Sequence, residues 1–134
     1  MSPVDLKTAT HIANRLKYNP DGLIPAIAQQ AGTLEVLMMA WMNIDAVIET
    51  LTTGRVCYFS RSRSKLWRKG ERSGQVQMLS EFRWDCDDDT VLMLVEQHGV
   101  ACHTGRQNCF YNAVRDGAVS IIADVKIDPD DLYS

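Results

Sequence analysis

The sequence predicts an α+β fold in which a mainly antiparallel sheet is accompanied by a few helices. Several segments of strand length are either continuously apolar or alternate between apolar and polar residues. Two other segments carry apolar residues at helical spacing. The strand segments do not alternate with helices, as a parallel sheet would require. The chain has 134 residues, so we expect a single domain over residues 1–134.

The N-terminal region is predicted to form a helix, a turn and two strands. Ser2-Pro3 can cap and open the helix, with Asp5 near its positive end. Asn19-Pro20-Asp21-Gly22 is typical of a turn. Strands are predicted over 23–28 and 34–42; the second is also compatible with a helix, because an apolar run alone does not discriminate. The helical spacing comes from Leu6, Ala9, Ile12, Ala13 and Leu16.

The second helix is the best defined element, since it carries a start signal, apolar periodicity and a stop signal. Asn43 is a good N-cap and Gly54 a good terminator. After it we expect a strand at 56–59, a basic loop over 60–74 and strands at 91–95 and 119–122. A half-buried strand is predicted where Val76, Met78, Phe82 and Trp84 alternate with polar residues.

Composition narrows the class of protein. A hydrophobic content of 46% and a charged content of 23% are ordinary for a globular domain. The net charge of -3 argues against bulk binding to nucleic acid or to an anionic membrane. No stretch is apolar enough to span a bilayer, and the N-terminus lacks a signal-peptide pattern. The four cysteines are therefore expected to be thiols in a reducing cytoplasm.

Three carboxylates at alternate positions, Asp85, Asp87 and Asp89, suggest a site for a hard cation such as Mg²⁺. A straight strand would spread them over roughly 13 Å, which is too far for one ion, so we expect a sharp bend. Cys86 and Asp88 should then point the other way. Two alternatives are an acidic loop that binds nothing and an EF-hand. The EF-hand is disfavoured because Thr90 stands where that loop needs glycine.

Three cysteines in polar surroundings, Cys86, Cys102 and Cys109, suggest zinc, because thiolates are the ligands that Zn²⁺ prefers. Three sulfur ligands leave one of the four positions open, as in a catalytic site. The alternative, a buried cysteine that acts as a small hydrophobe, fits Cys57 better. His103 adjoins Cys102, so we expect it to act as a general acid or base. Its alternative role is that of a hydrogen-bonded turn residue.

The basic loop at 60–74 combines arginines, hydroxyls and glycines, which together suit a phosphate group. Its tryptophan could stack on a base. A solvated loop and RNA binding are the alternatives; the negative net charge favours a small phosphorylated metabolite. The predicted substrate-binding residues are Ser60, Arg61, Ser62, Arg63, Trp67, Lys69, Gly70, Ser73 and Gly74.

These motifs resemble those of the phosphoribosyl-AMP cyclohydrolase family. The resemblance covers 23–110 in unbroken order. It rests on Trp67 and on the runs 60–63, 69–71, 73–74, 85–89, 101–105 and 109–110. Arg72 replaces a small hydroxyl residue of the family, and Asn108 replaces a serine. The extension at 111–134 is too short to hold the second domain found in some members, so we expect the stand-alone form.

The resemblance implies the third step of histidine biosynthesis, in which the adenine ring of 1-(5-phosphoribosyl)-AMP is opened between N1 and C6. It also implies an intertwined homodimer with metal sites at the interface. Zinc would be held by Cys86 of the partner subunit together with Cys102 and Cys109, and magnesium by Asp85, Asp87 and Asp89. Water activated by zinc would attack C6 while His103 takes its proton. The alternative is a non-catalytic, zinc-stapled dimerisation or RNA-binding module.

Overall fold

The computed structural model describes residues 1–132, and the predicted α+β class is confirmed. Strands form most of the structure, and the longer helices number two within the described residues. None of these helices is long and apolar enough to cross a membrane. In chain order the elements are α1 (Leu6–Arg15), β1 (Ile24–Gln30), β2 (Val36–Met42), α2 (Ile44–Thr53), β3 (Cys57–Ser60), β4 (Lys65–Arg68), β5 (Gln77–Trp84), β6 (Val91–Gln97), β7 (Asn112–Arg115), β8 (Ala118–Ile121) and α3 (Pro129–Leu132).

The main sheet has four strands in the order β2-β1-β6-β5. Its two outer pairs, β1 with β2 and β5 with β6, are antiparallel, as predicted. The central pair, β1 with β6, is parallel, with Ala26 opposite Val91. The chain makes a long crossover between these two strands, and this crossover carries α2 and the separate two-stranded ribbon β3–β4.

The core lies between this sheet and the two long helices. Along β1 the residues Ile24, Ala26 and Ala28 are fully buried, because alternate side chains of a strand share one face. Ala13 of α1 and Val47 of α2 are buried in the same cluster. Small residues on the sheet and on α1 therefore allow close packing in the centre of the domain.

The helix ends differ from the prediction in one place. The N-cap of α1 is Asp5, whose carboxylate accepts a hydrogen bond from the Thr8 amide at 2.7 Å. The predicted opening at Ser2-Pro3 is wrong, because the side chain that caps the helix lies closer to the first helical turn. The ends of α2 are confirmed: the Asn43 side chain accepts from the Ala46 amide at 2.8 Å, and Gly54 ends the helix with φ 75°.

Most strands lie at the predicted positions, but in one of them the buried side chains are not the predicted ones. The segment at 34–42 is a strand, so its helical alternative is wrong. In β5, Met78 is exposed while Gln77 and Leu79 are buried, because a bulge between Leu79 and Glu81 shifts the register. The expected alternation from Met78 to Phe82 is therefore wrong in the first half of this strand.

Two further strands were not anticipated from the sequence. The basic loop at 60–74 contains β4, which pairs with β3 to place Tyr58 opposite Trp67. Strand β7 precedes the predicted C-terminal strand, β8, and the two form a hairpin. Both unpredicted strands are only four residues long.

Candidate active site

The carboxylate segment bends sharply, as predicted. The Asp88 amide donates to the Asp85 carbonyl at 3.1 Å, and Asp88 itself adopts a left-handed conformation with φ 66°. The Asp85 carboxylate closes the turn by accepting from the Asp89 amide at 3.0 Å. Carboxylate oxygens of Asp85, Asp87 and Asp89 thereby come within 4.8 Å of one another.

The electrostatics of this turn suit a cation. Desolvation acts to raise the pKa of Asp85, but hydrogen bonds from Asp89, Asp87 and Thr90 lower it overall. Hydrogen bonds shared with Asp87 and Asp85 raise the pKa of Asp89, because they favour its protonated form. All three carboxylates are exposed. Clustered, accessible oxygen ligands are the donor set that Mg²⁺ prefers, so these residues fit that ion.

The end of α1 holds the carboxylate turn in place. The Lys17 amide donates to the Asp88 carbonyl at 2.8 Å. The Arg15 guanidinium lies 3.9 Å from the Asp88 carboxylate and 5.6 Å from the centre of the Trp84 ring. The turn is thus tied to a helix and to the end of β5.

The four cysteines occupy three environments. Cys57 is fully buried in the core, as predicted, and burial raises the pKa of its thiol to about 12. Cys86 is exposed. Cys102 and Cys109 lie beside each other: burial, and then the neighbouring Cys102 sulfur, raise the pKa of Cys109 to about 12. Among the described residues, Cys86 does not join these two thiols in a group of three potential ligands.

The loop that carries Cys102 and Cys109 is held by backbone hydrogen bonds. The Cys102 amide donates to the Arg106 carbonyl at 3.1 Å, and the Gly105 amide donates back to the Cys102 carbonyl at 3.0 Å. Gly105 has φ 86°, and a Cβ atom there would lie 1.8 Å from the Ile127 carbonyl oxygen. Cys109 is anchored to the sheet because its amide donates to the Leu37 carbonyl at 2.8 Å.

One cleft brings together most of the predicted substrate-binding residues and His103. Its volume is about 400 Å³. Glu71 and Arg72, which were not predicted to bind substrate, also line the cleft. Their position between the predicted residues Gly70 and Ser73 is the signal that could have identified them. The predicted residues in its wall are Ser60, Ser62, Arg63, Trp67, Lys69, Gly70, Ser73 and His103.

Two predicted residues lie outside the wall of this cleft. The Arg61 guanidinium is 5.1 Å from the centre of the Trp41 ring, on β2. The Gly74 amide donates to the Gly70 carbonyl at 2.8 Å and so closes the turn that bears Ser73. Gly74 therefore shapes the cleft through the backbone.

Lys69 links the cleft to the cysteine loop. Its ammonium group is buried and donates to the Ala101 carbonyl at 2.7 Å. Burial lowers the pKa of Lys69, and the neighbouring sulfurs of Cys109 and Cys102 act in the opposite direction. The same ammonium lies 5.5 Å from the centre of the Trp67 ring. Lys69 thus fixes the start of the loop on which Cys102 and His103 sit.

Comparison with known proteins shows the family of this chain. Residues 38–111 match the family model described as phosphoribosyl-AMP cyclohydrolase. A curated protein of that name from Paramagnetospirillum magneticum is 59% identical over 133 residues, which is 99% of this chain and 98% of the relative. The chain belongs to the phosphoribosyl-AMP cyclohydrolase family. A relative of the same name from Magnetococcus marinus is 64% identical over 88% of this chain and 92% of its own.

The range matched by the family model separates two parts of the chain. All the predicted site residues fall within the matched range 38–111. The β7–β8 hairpin follows that range. The Asn108 side chain donates to the Glu35 carboxylate at 2.7 Å and accepts from the Phe110 amide at 2.8 Å. Asn108 therefore stabilises the loop next to Cys109.

Proposed function

We propose that this chain hydrolyses 1-(5-phosphoribosyl)-AMP by opening the adenine ring between N1 and C6. The product is the formimino-aminoimidazole carboxamide ribonucleotide, and the reaction is the third step of histidine biosynthesis. Membership of the family supports the reaction class. The observation that carries the proposal is one cleft in which His103 faces a turn of serines and arginines, next to the paired thiols of Cys102 and Cys109.

The residues present fit two different metal ions. Soft thiolates from Cys102, Cys109 and Cys86 of the partner subunit would hold Zn²⁺, whereas Asp85, Asp87 and Asp89 would hold Mg²⁺. When bound, zinc lowers the pKa of a water molecule in its open fourth position. The carboxylate site would neutralise or orient phosphate charge on the substrate.

A second copy of the chain is needed to complete the cysteine set. Cys86 is exposed, so its thiol is accessible to a second chain. Since Cys86 does not meet Cys102 and Cys109 within the described part of one chain, we propose that it reaches them across the interface of a homodimer.

The hairpin β7–β8 offers an apolar surface for the same interface. Val114 lies opposite Val119 in the register, and Ile121 follows on that face. These side chains are 77%, 80% and 63% exposed in the single chain. Adjacent exposed aliphatic residues of this kind mark a surface that a partner covers. We therefore assign the hairpin to the dimer contact.

The roles of the cleft residues follow from their chemistry. His103 takes one proton from the attacking water as oxygen bonds to C6, and this proton passes to N1 when the N1–C6 bond breaks. The second water proton moves from the C6 oxygen to the exocyclic nitrogen, so that C6 becomes a carboxamide. Arg63 and the hydroxyls of Ser60 and Ser73 bind phosphate oxygens. Trp67 stacks on the adenine ring, because its indole lies in the cleft wall.

The test is the ultraviolet spectrum of phosphoribosyl-AMP in the presence of zinc- and magnesium-loaded protein. Ring opening removes the adenine chromophore, so the proposal predicts a progressive spectral change. AMP is the matched control, since it lacks the N1 substituent that makes C6 electron-poor. No change with the metal-replete protein would contradict the proposal, and RNA binding that falls steeply with salt would instead favour the non-catalytic module.

A further inference from the structure

A second cleft, of about 450 Å³, lies where the end of α1 meets β2 and the carboxylate turn. Its wall includes Lys17, Tyr18, Trp41 and Asp89. A cation, two aromatic rings and one carboxylate of the magnesium set thus share a concave surface. Nothing in the mechanism described above uses Lys17, Tyr18 or Trp41.

The wall of this cleft is held by hydrogen bonds, but the lysine side chain is not. The Tyr18 hydroxyl donates to the Ala13 carbonyl at 2.8 Å. The Asn19 side chain accepts from the Leu23 amide at 2.9 Å. By contrast, the ammonium group of Lys17 has no hydrogen-bond or ion-pair partner among residues 1–132, and Lys17 is exposed. The cleft therefore has a fixed frame and an available positive charge.

Arg61 brings a second positive charge next to Trp41, one of the residues in the wall of this cleft. Its neighbours Ser60, Ser62 and Arg63 line the first cleft, whereas its own guanidinium stacks over Trp41 at 5.1 Å. Consecutive Cα atoms are only about 3.8 Å apart, so one short backbone segment contributes to the wall of the first cleft and also contacts Trp41 in the wall of the second. A ligand with two anionic ends could engage both.

We propose that the second cleft binds one of the two ribose 5-phosphate groups of the substrate. Lys17 and Arg61 contact the phosphate, Trp41 contacts the sugar, and a cation held with the help of Asp89 lies at the edge of the cleft. This inference rests on the proposed function, because phosphoribosyl-AMP carries one ribose 5-phosphate on N9 and another on N1. The serine-rich turn of the first cleft binds the other group.

Ribose 5-phosphate alone is a suitable probe, and the indole N–H signals of the three tryptophans are the reporters. In ¹H–¹⁵N spectra of the zinc- and magnesium-loaded protein, the Trp41 signal, identified with Trp41→Phe, should shift saturably. Lys17→Met should weaken that response about 10-fold or more, because a charge-assisted hydrogen bond is lost. Lys7→Met, which changes an exposed lysine of α1 outside the cleft, should leave it unchanged.

Three outcomes would overturn the inference. The first is that ribose 5-phosphate does not shift the Trp41 signal. The second is that ribose without phosphate shifts this signal equally. The third is that Lys17→Met binds ribose 5-phosphate as tightly as the wild type. These measurements need no turnover, so they are separate from the test of the proposed function. A phosphate-dependent Trp41 response in a protein that opens no ring would support the cleft and contradict the activity.

Discussion

The ammonium group of Lys69 lies 2.7 Å from the carbonyl oxygen of Ala101, the residue before Cys102. This bond joins the end of the β3–β4 ribbon to the loop that bears Cys102 and His103. Both partners are buried, since Lys69 is 6% and Ala101 3% exposed. The sequence favoured a phosphate-binding role for Lys69, and the structure adds a contact that positions the cysteine loop.

Replacing Lys69 with methionine should therefore destabilise the protein. The Ala101 carbonyl would lose its buried partner, which costs about 1–3 kcal/mol. Urea unfolding of the metal-free protein measures the change in the free energy of unfolding. Lys65→Met is the matched control, because Lys65 is exposed on β4. Equal stability of the two variants would show that the bond to Ala101 contributes nothing.

Replacing His103 with alanine should lower turnover by roughly 10²–10⁴-fold while zinc content is retained. The reason is that His103 lies in the cleft wall and is not one of the proposed metal ligands. Turnover and bound zinc are measured on the same sample, with His98→Ala as the control, since His98 is exposed and lies outside the cleft. Unchanged turnover, or loss of zinc, would exclude the role of a proton carrier.

Stability should fall at high pH, in part because of Cys57. Burial raises the pKa of this thiol from 9.0 to about 12. The unfolded chain thus ionises first, so the contribution of Cys57 is complete below pH 9 and is lost as pH rises toward 12. The unfolding free energy of the wild type should therefore fall with pH more steeply than that of Cys57→Ala, and the two slopes should differ by up to about 1.4 kcal/mol per pH unit. Parallel curves of unfolding free energy against pH would contradict this.

Polar substitutions in the β7–β8 hairpin should weaken dimerisation of the chain. Val114→Ser combined with Val119→Ser removes apolar area that we assign to the dimer contact, at a cost of roughly 1–2 kcal/mol for each valine. The dissociation constant of the dimer, measured by sedimentation equilibrium, should rise at least about 10-fold. Leu6→Ser is the control, because Leu6 is 65% exposed on α1. A dissociation constant equal to that of the control would remove the hairpin from the interface.

Local signals in the sequence predicted the second helix and the bend of the carboxylate segment well. Asn43 and Gly54 cap α2 through short-range bonds, and short-range rules therefore suffice. The bend followed from distance alone, because one ion cannot span an extended segment. These features depend on few residues that are close in the chain.

Long-range pairing was harder to predict. The parallel contact of β1 with β6 joins residues about 65 positions apart, and no local pattern encodes it. The bulge after Leu79 and the four-residue strand β4 have equally weak signals. For the same reason the sequence did not reveal that Arg61 turns away from its neighbours, toward Trp41.

The central claim, that Cys86 completes the cysteine set of another chain, has a direct test by complementation. Cys86→Ser and Cys102→Ser should each abolish turnover. When equal amounts are unfolded, mixed and refolded with Zn²⁺, half of the dimers are mixed and each has one intact site, so about a quarter of the turnover of identically refolded wild type should return. Turnover that stays absent in the mixture, while refolded wild type is active, would show that one chain supplies all three thiolates.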